Sequence, residues 1–146
     1  MVWILYYVPE GFLMYYTGNR FLGTGRGMVA LSIAGLCYGS IVLVARVLLP
    51  GGGHILPCLI GFFLIARFLL RISWRNSLLI LVIPWGLLLM GELLLLVPLM
   101  HILQHSAADI LTSPLRHILF GYVGLSFVIL AAILTTILYK EQPIEI

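Results

Sequence analysis

Polar positions are sparse along this chain, and they gather in short clusters. Between the clusters lie five apolar stretches, about 2–22, 28–49, 54–71, 77–100 and 116–139. About 20 apolar residues, each rising about 1.5 Å in a helix, cross the roughly 30 Å of a bilayer's hydrocarbon. Each stretch is therefore predicted to be a membrane-spanning helix. The longest polar interruption, 102–113, contains Ser106-Ala107-Ala108-Asp109. That run has capping-box form, with Asp in place of the usual Glu, and predicts a short interfacial helix over about 106–112. Ser113-Pro114 then reads as an N-cap followed by proline in the first helical position. The predicted fold class is all-α: one polytopic domain, 1–146, built as a bundle of five transmembrane helices.

Composition supports this reading. Of 146 residues, 62% are hydrophobic and 9% charged, against about 25% charged in a soluble domain. Too few charges remain to cover a soluble surface. The net charge is +3, yet the basic residues sit at the ends of apolar runs, which marks topology rather than nucleic-acid binding. Arg20, Arg26, Arg67, Arg71 and Arg75 occupy the first–second and third–fourth links. Basic residues accumulate on the cytoplasmic side. The amino terminus is therefore expected outside and the carboxy terminus, next to Lys140, inside a plasma membrane. No basic leader or small-residue cleavage site marks a removable signal.

Four features within the spans carry candidate chemistry. Glu92 lies near the middle of the fourth stretch, and a carboxylate at that depth is costly and faces a partner, a cavity or a pathway. Pro84 and Gly91 flank its Leu-rich middle, which predicts a kink near Pro84. Glu10 follows Pro9, and two readings stand: a carboxylate inside a continuous helix, or one in the first turn of a helix that begins at Pro9. Arg46 sits one turn inside the end of the second stretch, able to snorkel or to pair with Glu10 or Glu92. On the expected topology these three groups share similar depth, and an outward-facing pocket with two carboxylates and one arginine follows.

The remaining candidates are weaker. Gly35 and Gly39 form a small-xxx-small pair that permits close helix packing. Trp3, Tyr6 and Tyr7 suit the headgroup level. The glycine-rich link 19–27 lacks a following Gly-Lys-Ser/Thr and reads as a flexible turn, not a phosphate loop. His101 and His105, at i,i+4, could sense pH or meet at a metal, but no local carboxylate completes a ligand set. Cys37 and Cys58 read as packing residues. No metal or cofactor is expected.

The ordered runs Val8-Pro9-Glu10, Arg46-x-x-Leu49-Pro50, Arg71-Ile72-Ser73-Trp74-Arg75, Gly91-Glu92-Leu93 and Asp109-Ile110-Leu111-x-Ser113-Pro114-Leu115-Arg116-x-Ile118-Leu119-x-Gly121 cover nearly the whole chain. Together they resemble the five-helix membrane input region of Gram-positive bacterial sensor histidine kinases. That resemblance implies a fifth helix leading to a cytoplasmic output and a sensory role for Pro9, Glu10, Arg46 and Glu92. The chain has no phosphoacceptor histidine region and no nucleotide-binding motif, so kinase activity is not expected of it. The expectation is a stand-alone sensory or regulatory module that acts on a signalling partner protein or a second copy of itself, surrounded by membrane lipids. The alternatives are a small transporter or ion-conducting subunit using Glu92 and Glu10, or a purely structural membrane subunit.

Overall fold

The computed structural model describes residues 1–49 and 52–138. Pro50, Gly51 and the tail from 139, with Lys140, lie outside the described residues. Helix α1 opens with a π-helical turn at Trp3–Tyr7 and continues as Val8–Leu22. Helix α2 is Met28–Leu48. Helix α3 is Ile55–Leu69, its last turn, Ile65–Leu69, again π-helical. Helix α4 is Trp74–Ile102, with a π-turn at Glu92–Leu96. Short α5, Ala107–Thr112, leads to α6, Pro114–Gly124, and α7, Ser126–Leu138. No strand occurs among the described residues.

Helices α2 and α4 are each long and apolar enough to cross a membrane, and α6 with α7 form a third such unit bent by 51°. The fifth stretch, expected as one helix over 116–139, is thus two helices with a bend between them. The bend falls at Leu125, which is fully buried. The outward sides of α2 and α4 are apolar and exposed, for example Val29, Ile33, Val44 and Val47, then Leu78, Val82, Leu93 and Val97. An exposed apolar surface of this extent belongs against lipid or another protein.

The centre of the bundle is α1, which packs against α2, α4 and α7. Met14, Tyr15 and Thr17 are fully buried there. Close approach on the α2 side depends on three glycines. A Cβ on Gly35 would lie 2.7 Å from the backbone nitrogen of Phe12, one on Gly39 2.9 Å from that of Val8, and one on Gly11 3.1 Å from the Gly35 carbonyl oxygen. Backbone meets backbone here, as small-xxx-small packing requires. On the other side Gly18 faces Ile80 of α4 at 3.1 Å. Tyr15 stacks on Phe62 of α3 with centroids 4.0 Å apart and donates its hydroxyl to the Phe62 carbonyl at 2.9 Å.

Helix α1 does not begin at Pro9; it runs through it, which removes the first-turn reading of Glu10. Proline has no N–H for the carbonyl of Leu5, four residues back. The chain answers with a wider turn, in which the Val8 N–H donates to the Trp3 carbonyl. The Tyr122 hydroxyl of α6 then donates to the Leu5 carbonyl at 2.8 Å. The same arrangement recurs in α4. There Pro84 lies inside the helix, and a π-turn precedes Pro98, where Val97 N–H donates to the Glu92 carbonyl.

The link 19–27 forms a corner tied by hydrogen bonds. Gly23 and Gly25 adopt left-handed φ of 56° and 66°. Asn19 holds both backbone groups of Arg26, accepting its N–H at 3.0 Å and donating to its carbonyl at 3.3 Å, and also accepts from Thr24. At the same end of the bundle, Arg26 donates to the Arg71 carbonyl at 2.9 Å and Arg67 to the Ile72 carbonyl at 3.0 Å. Arg71 itself has a left-handed φ of 52°. Two guanidinium groups thus satisfy carbonyls of the link between α3 and α4.

Candidate functional site

The opposite end of the bundle holds the charged groups. Glycine-mediated contact sets α1 against α2 at Tyr7-Val8, and Arg46 follows Gly39 by two turns. Its guanidinium carbon lies 5.1 Å from the centroid of the Tyr7 ring, within cation–π range. From the other side, Gly91 of α4 meets the carbonyl of Gly124 so closely that no Cβ fits. This contact places Glu92, the next residue, against the α6–α7 bend, where a Cβ on Gly124 would lie 3.1 Å from the Glu92 Cγ.

Glu10, Arg46 and Glu92 consequently line one cavity of about 420 Å³ between α1, α2, α3 and α4, together with Tyr6, Tyr38, His54, Cys58 and Trp85. Glu10 is only 6% exposed. Its Oε2 has no hydrogen-bond partner, nor do the Arg46 Nε and the Trp85 Nε1, all three buried. A second space of about 170 Å³ shares Tyr6, Arg46 and Glu92 and extends toward α5 and α6, past His117, Phe120 and Gly121. The shared residues form the divide between the two. Pro9 lies beside Glu10 in sequence but is not among the residues lining either space. A larger groove of about 530 Å³ over Ser40, Val44, Leu48 and Pro57 has no charged residue in its lining.

The aromatic residues around the charges differ from their expected place. Tyr6 and Tyr7 are each 5% exposed and belong to the core, not to a headgroup belt. Tyr6 covers Gly121, where a Cβ would come 2.5 Å from the ring. Tyr7 makes a 3.3 Å hydrogen bond with His117 Nε2, and both tyrosine rings lie 5.6 Å from the imidazole. Spacing carries a signal of this: Tyr6 and Glu10 are i,i+4, as are Tyr7 and Gly11, so both tyrosines share faces of α1 with residues that are inside.

The expected histidine pair does not form as a helical i,i+4 unit. Helix α4 stops at Ile102, Gln104 turns with φ 53°, and His105 leaves the helix to pack edge-on against Phe120 at 6.0 Å. His101 is exposed. No group of three or more His, Cys, Asp or Glu side chains able to hold a metal occurs among the described residues. His54 and His117, not His101 and His105, are the histidines that join the charged region.

The capping box at Ser106 is complete. Ser106 Oγ accepts the Asp109 N–H at 3.2 Å, and Asp109 Oδ2 accepts the Ser106 N–H at 2.8 Å and its hydroxyl at 2.6 Å. These bonds, the side-chain one foremost, hold the Asp109 carboxyl below its usual range. Comparison with protein-family models, curated proteins and solved structures found no match to this chain.

Proposed function

We propose that this chain is a multi-pass plasma-membrane sensory module with five spans, amino terminus outside, which signals to a partner protein by repacking its helices. The observation that carries the reading is the convergence of Glu10, Arg46 and Glu92 on one cavity from three different helices. A molecule bound there touches α1, α2 and α4 together. It transmits a signal to the extent that it favours one packing of those helices over another. The Gly91–Gly124 contact beside Glu92 supplies a route to the bent α6–α7 unit. Five spans are supported by the place of α1, which packs on two helices that are themselves able to cross a membrane. The orientation rests on the arginines at the Arg26–Arg71 end. The resemblance to kinase input regions adds Pro9, Glu10, Arg46 and Glu92 as its matching positions.

Crosslinking in native membranes followed by mass spectrometry tests the proposal. Capture of a protein with a signalling domain, lost on Glu92→Gln or Arg46→Ala, is the expected result. Self-crosslinks alone would remove its support. A second reading, cation or proton conduction, draws on the two spaces that meet at Tyr6, Arg46 and Glu92. Liposome flux that disappears with Glu92→Gln would favour it.

A further inference from the structure

The cavity has a composition that selects its occupant. Two carboxylates, Glu10 and Glu92, face one guanidinium, Arg46, so the ionised lining carries one excess negative charge. Burying that excess in a low-dielectric site is costly unless a cation or a proton joins it. The Arg46 guanidinium is turned to the Tyr7 ring, and Glu10 Oε2 remains without a donor. Two of the lining residues also hold buried donors without a partner, Arg46 Nε and Trp85 Nε1, which call for an acceptor. Tyr6, Tyr38 and Trp85 supply aromatic surface to the same space, and such rings attract organic cations. A bare metal ion fits poorly, because hard cations take six or more oxygen ligands and no metal-ligating group of three occurs among the described residues. The volume, about 420 Å³, lies within the range of about 300–1,000 Å³ typical of small-molecule sites.

We propose that the cavity binds a small organic monocation: a primary ammonium set between Glu10 and Glu92, carrying a neutral acceptor oxygen for Trp85 or Arg46 and an apolar body against the aromatic wall. This inference deepens the sensory reading and rests on it, since it names the class of signal for the same site. The ammonium would complete the charge balance and draw α1 and α4 together through their carboxylates.

The experiment uses the full chain in lipid nanodiscs and three probes titrated by calorimetry. Phenylalaninamide has the ammonium and a neutral carbonyl, phenylalanine adds a carboxylate, and N-acetylphenylalaninamide lacks the charge. Saturable binding of phenylalaninamide, tighter than the other two, is expected. Glu10→Gln and Glu92→Gln should each weaken it about tenfold or more, the worth of a charged hydrogen bond. Trp85→Phe keeps an aromatic surface, removes the indole N–H and should weaken it by about threefold or more through loss of one neutral hydrogen bond. Helicity by circular dichroism identifies any variant that fails to fold, and Trp85→Phe carries the test if a carboxylate variant does. Equal or tighter binding of either control probe overturns the proposal, as does affinity unchanged in both carboxylate variants, or no saturable binding of phenylalaninamide. If binding fails while partner capture still depends on Glu92, the ligand class falls and the sensory reading stands. If both fail, both fall.

Discussion

Replacing Gly35 with alanine tests how closely α1 and α2 must approach. The added Cβ would sit 2.7 Å from the Phe12 nitrogen and 2.9 Å from its Cα. Non-bonded heavy atoms rest about 3.5–4.0 Å apart, so the helices must separate locally by roughly 1 Å. The obstructing atoms are backbone, and no side-chain rotation relieves them. Overpacking of this kind costs about 1–3 kcal/mol. An opposing gain of about 1 kcal/mol comes from the better helix propensity of alanine. Gly86→Ala separates the two effects, because nothing lies within 4 Å of its Cβ position and only the propensity gain applies. Gly35→Ala should therefore be less stable than Gly86→Ala by about 1–3 kcal/mol. Gly39→Ala, 2.9 Å from the Val8 nitrogen, should behave similarly. The pair should cost less than the sum, since one displacement serves both. Reversible unfolding in mixed micelles, followed by circular dichroism, measures the difference. If Gly35→Ala falls within about 0.5 kcal/mol of Gly86→Ala, the ordinary spread of neutral surface changes, the close approach does not exist.

Other consequences follow from single contacts. Tyr122→Phe removes the only side-chain donor to the Leu5 carbonyl among the described residues and should cost about 1 kcal/mol; in a Pro9→Ala background, where the backbone N–H is restored, a double-mutant cycle by micelle unfolding should find that cost much reduced. The lowered Asp109 carboxyl means that its contribution to α5 is fully present above the ordinary aspartate pKa of about 3.9 and fades as pH falls through the lower folded value. Hydrogen exchange should accordingly find Asp109 amide protection constant between about pH 7 and 5, and Asp109→Asn should reduce it throughout that range. Arg26→Ala leaves the Arg71 carbonyl without its 2.9 Å donor, and limited proteolysis should cut the 70–73 corner faster.

Part of the architecture was legible in apolar run length, since a helix able to cross hydrocarbon needs about 20 apolar residues. Helices α2 and α4, both Leu- and Val-rich, are plain on that basis. Helix α1 is central, and its interior position is the reason it looks least like a membrane helix: packed on several sides, it carries Gly11, Gly18, Thr17, Asn19 and Glu10 where a lipid-facing helix carries leucine. The convergence of Glu10, Arg46 and Glu92 could be anticipated from their depth along the spans. Their aromatic surroundings could not, since Tyr6 and Tyr7 suit an interface as well as a core until the neighbouring glycines are considered. The π-turns are not legible from proline alone. Pro9 and Pro98 are each preceded by one, whereas Pro84 lies in an α-helix and Ile65–Leu69 has no proline in its turn. The histidine pair failed because Gln104 turns the chain between its members.

The central claim is that Glu10, Arg46 and Glu92 act as one electrostatic unit inside the bundle. A double-mutant cycle of Arg46→Ala and Glu10→Gln, read as unfolding free energy in nanodiscs, tests it most directly. Arg46→Ala alone leaves two carboxylates in the cavity without their cation and should lower stability. Adding Glu10→Gln to that variant should recover a substantial part, a coupling of about 1–3 kcal/mol. Costs that simply add, within about 0.5 kcal/mol, would mean that the two residues share a cavity without sensing one another, and the account of the site would be wrong.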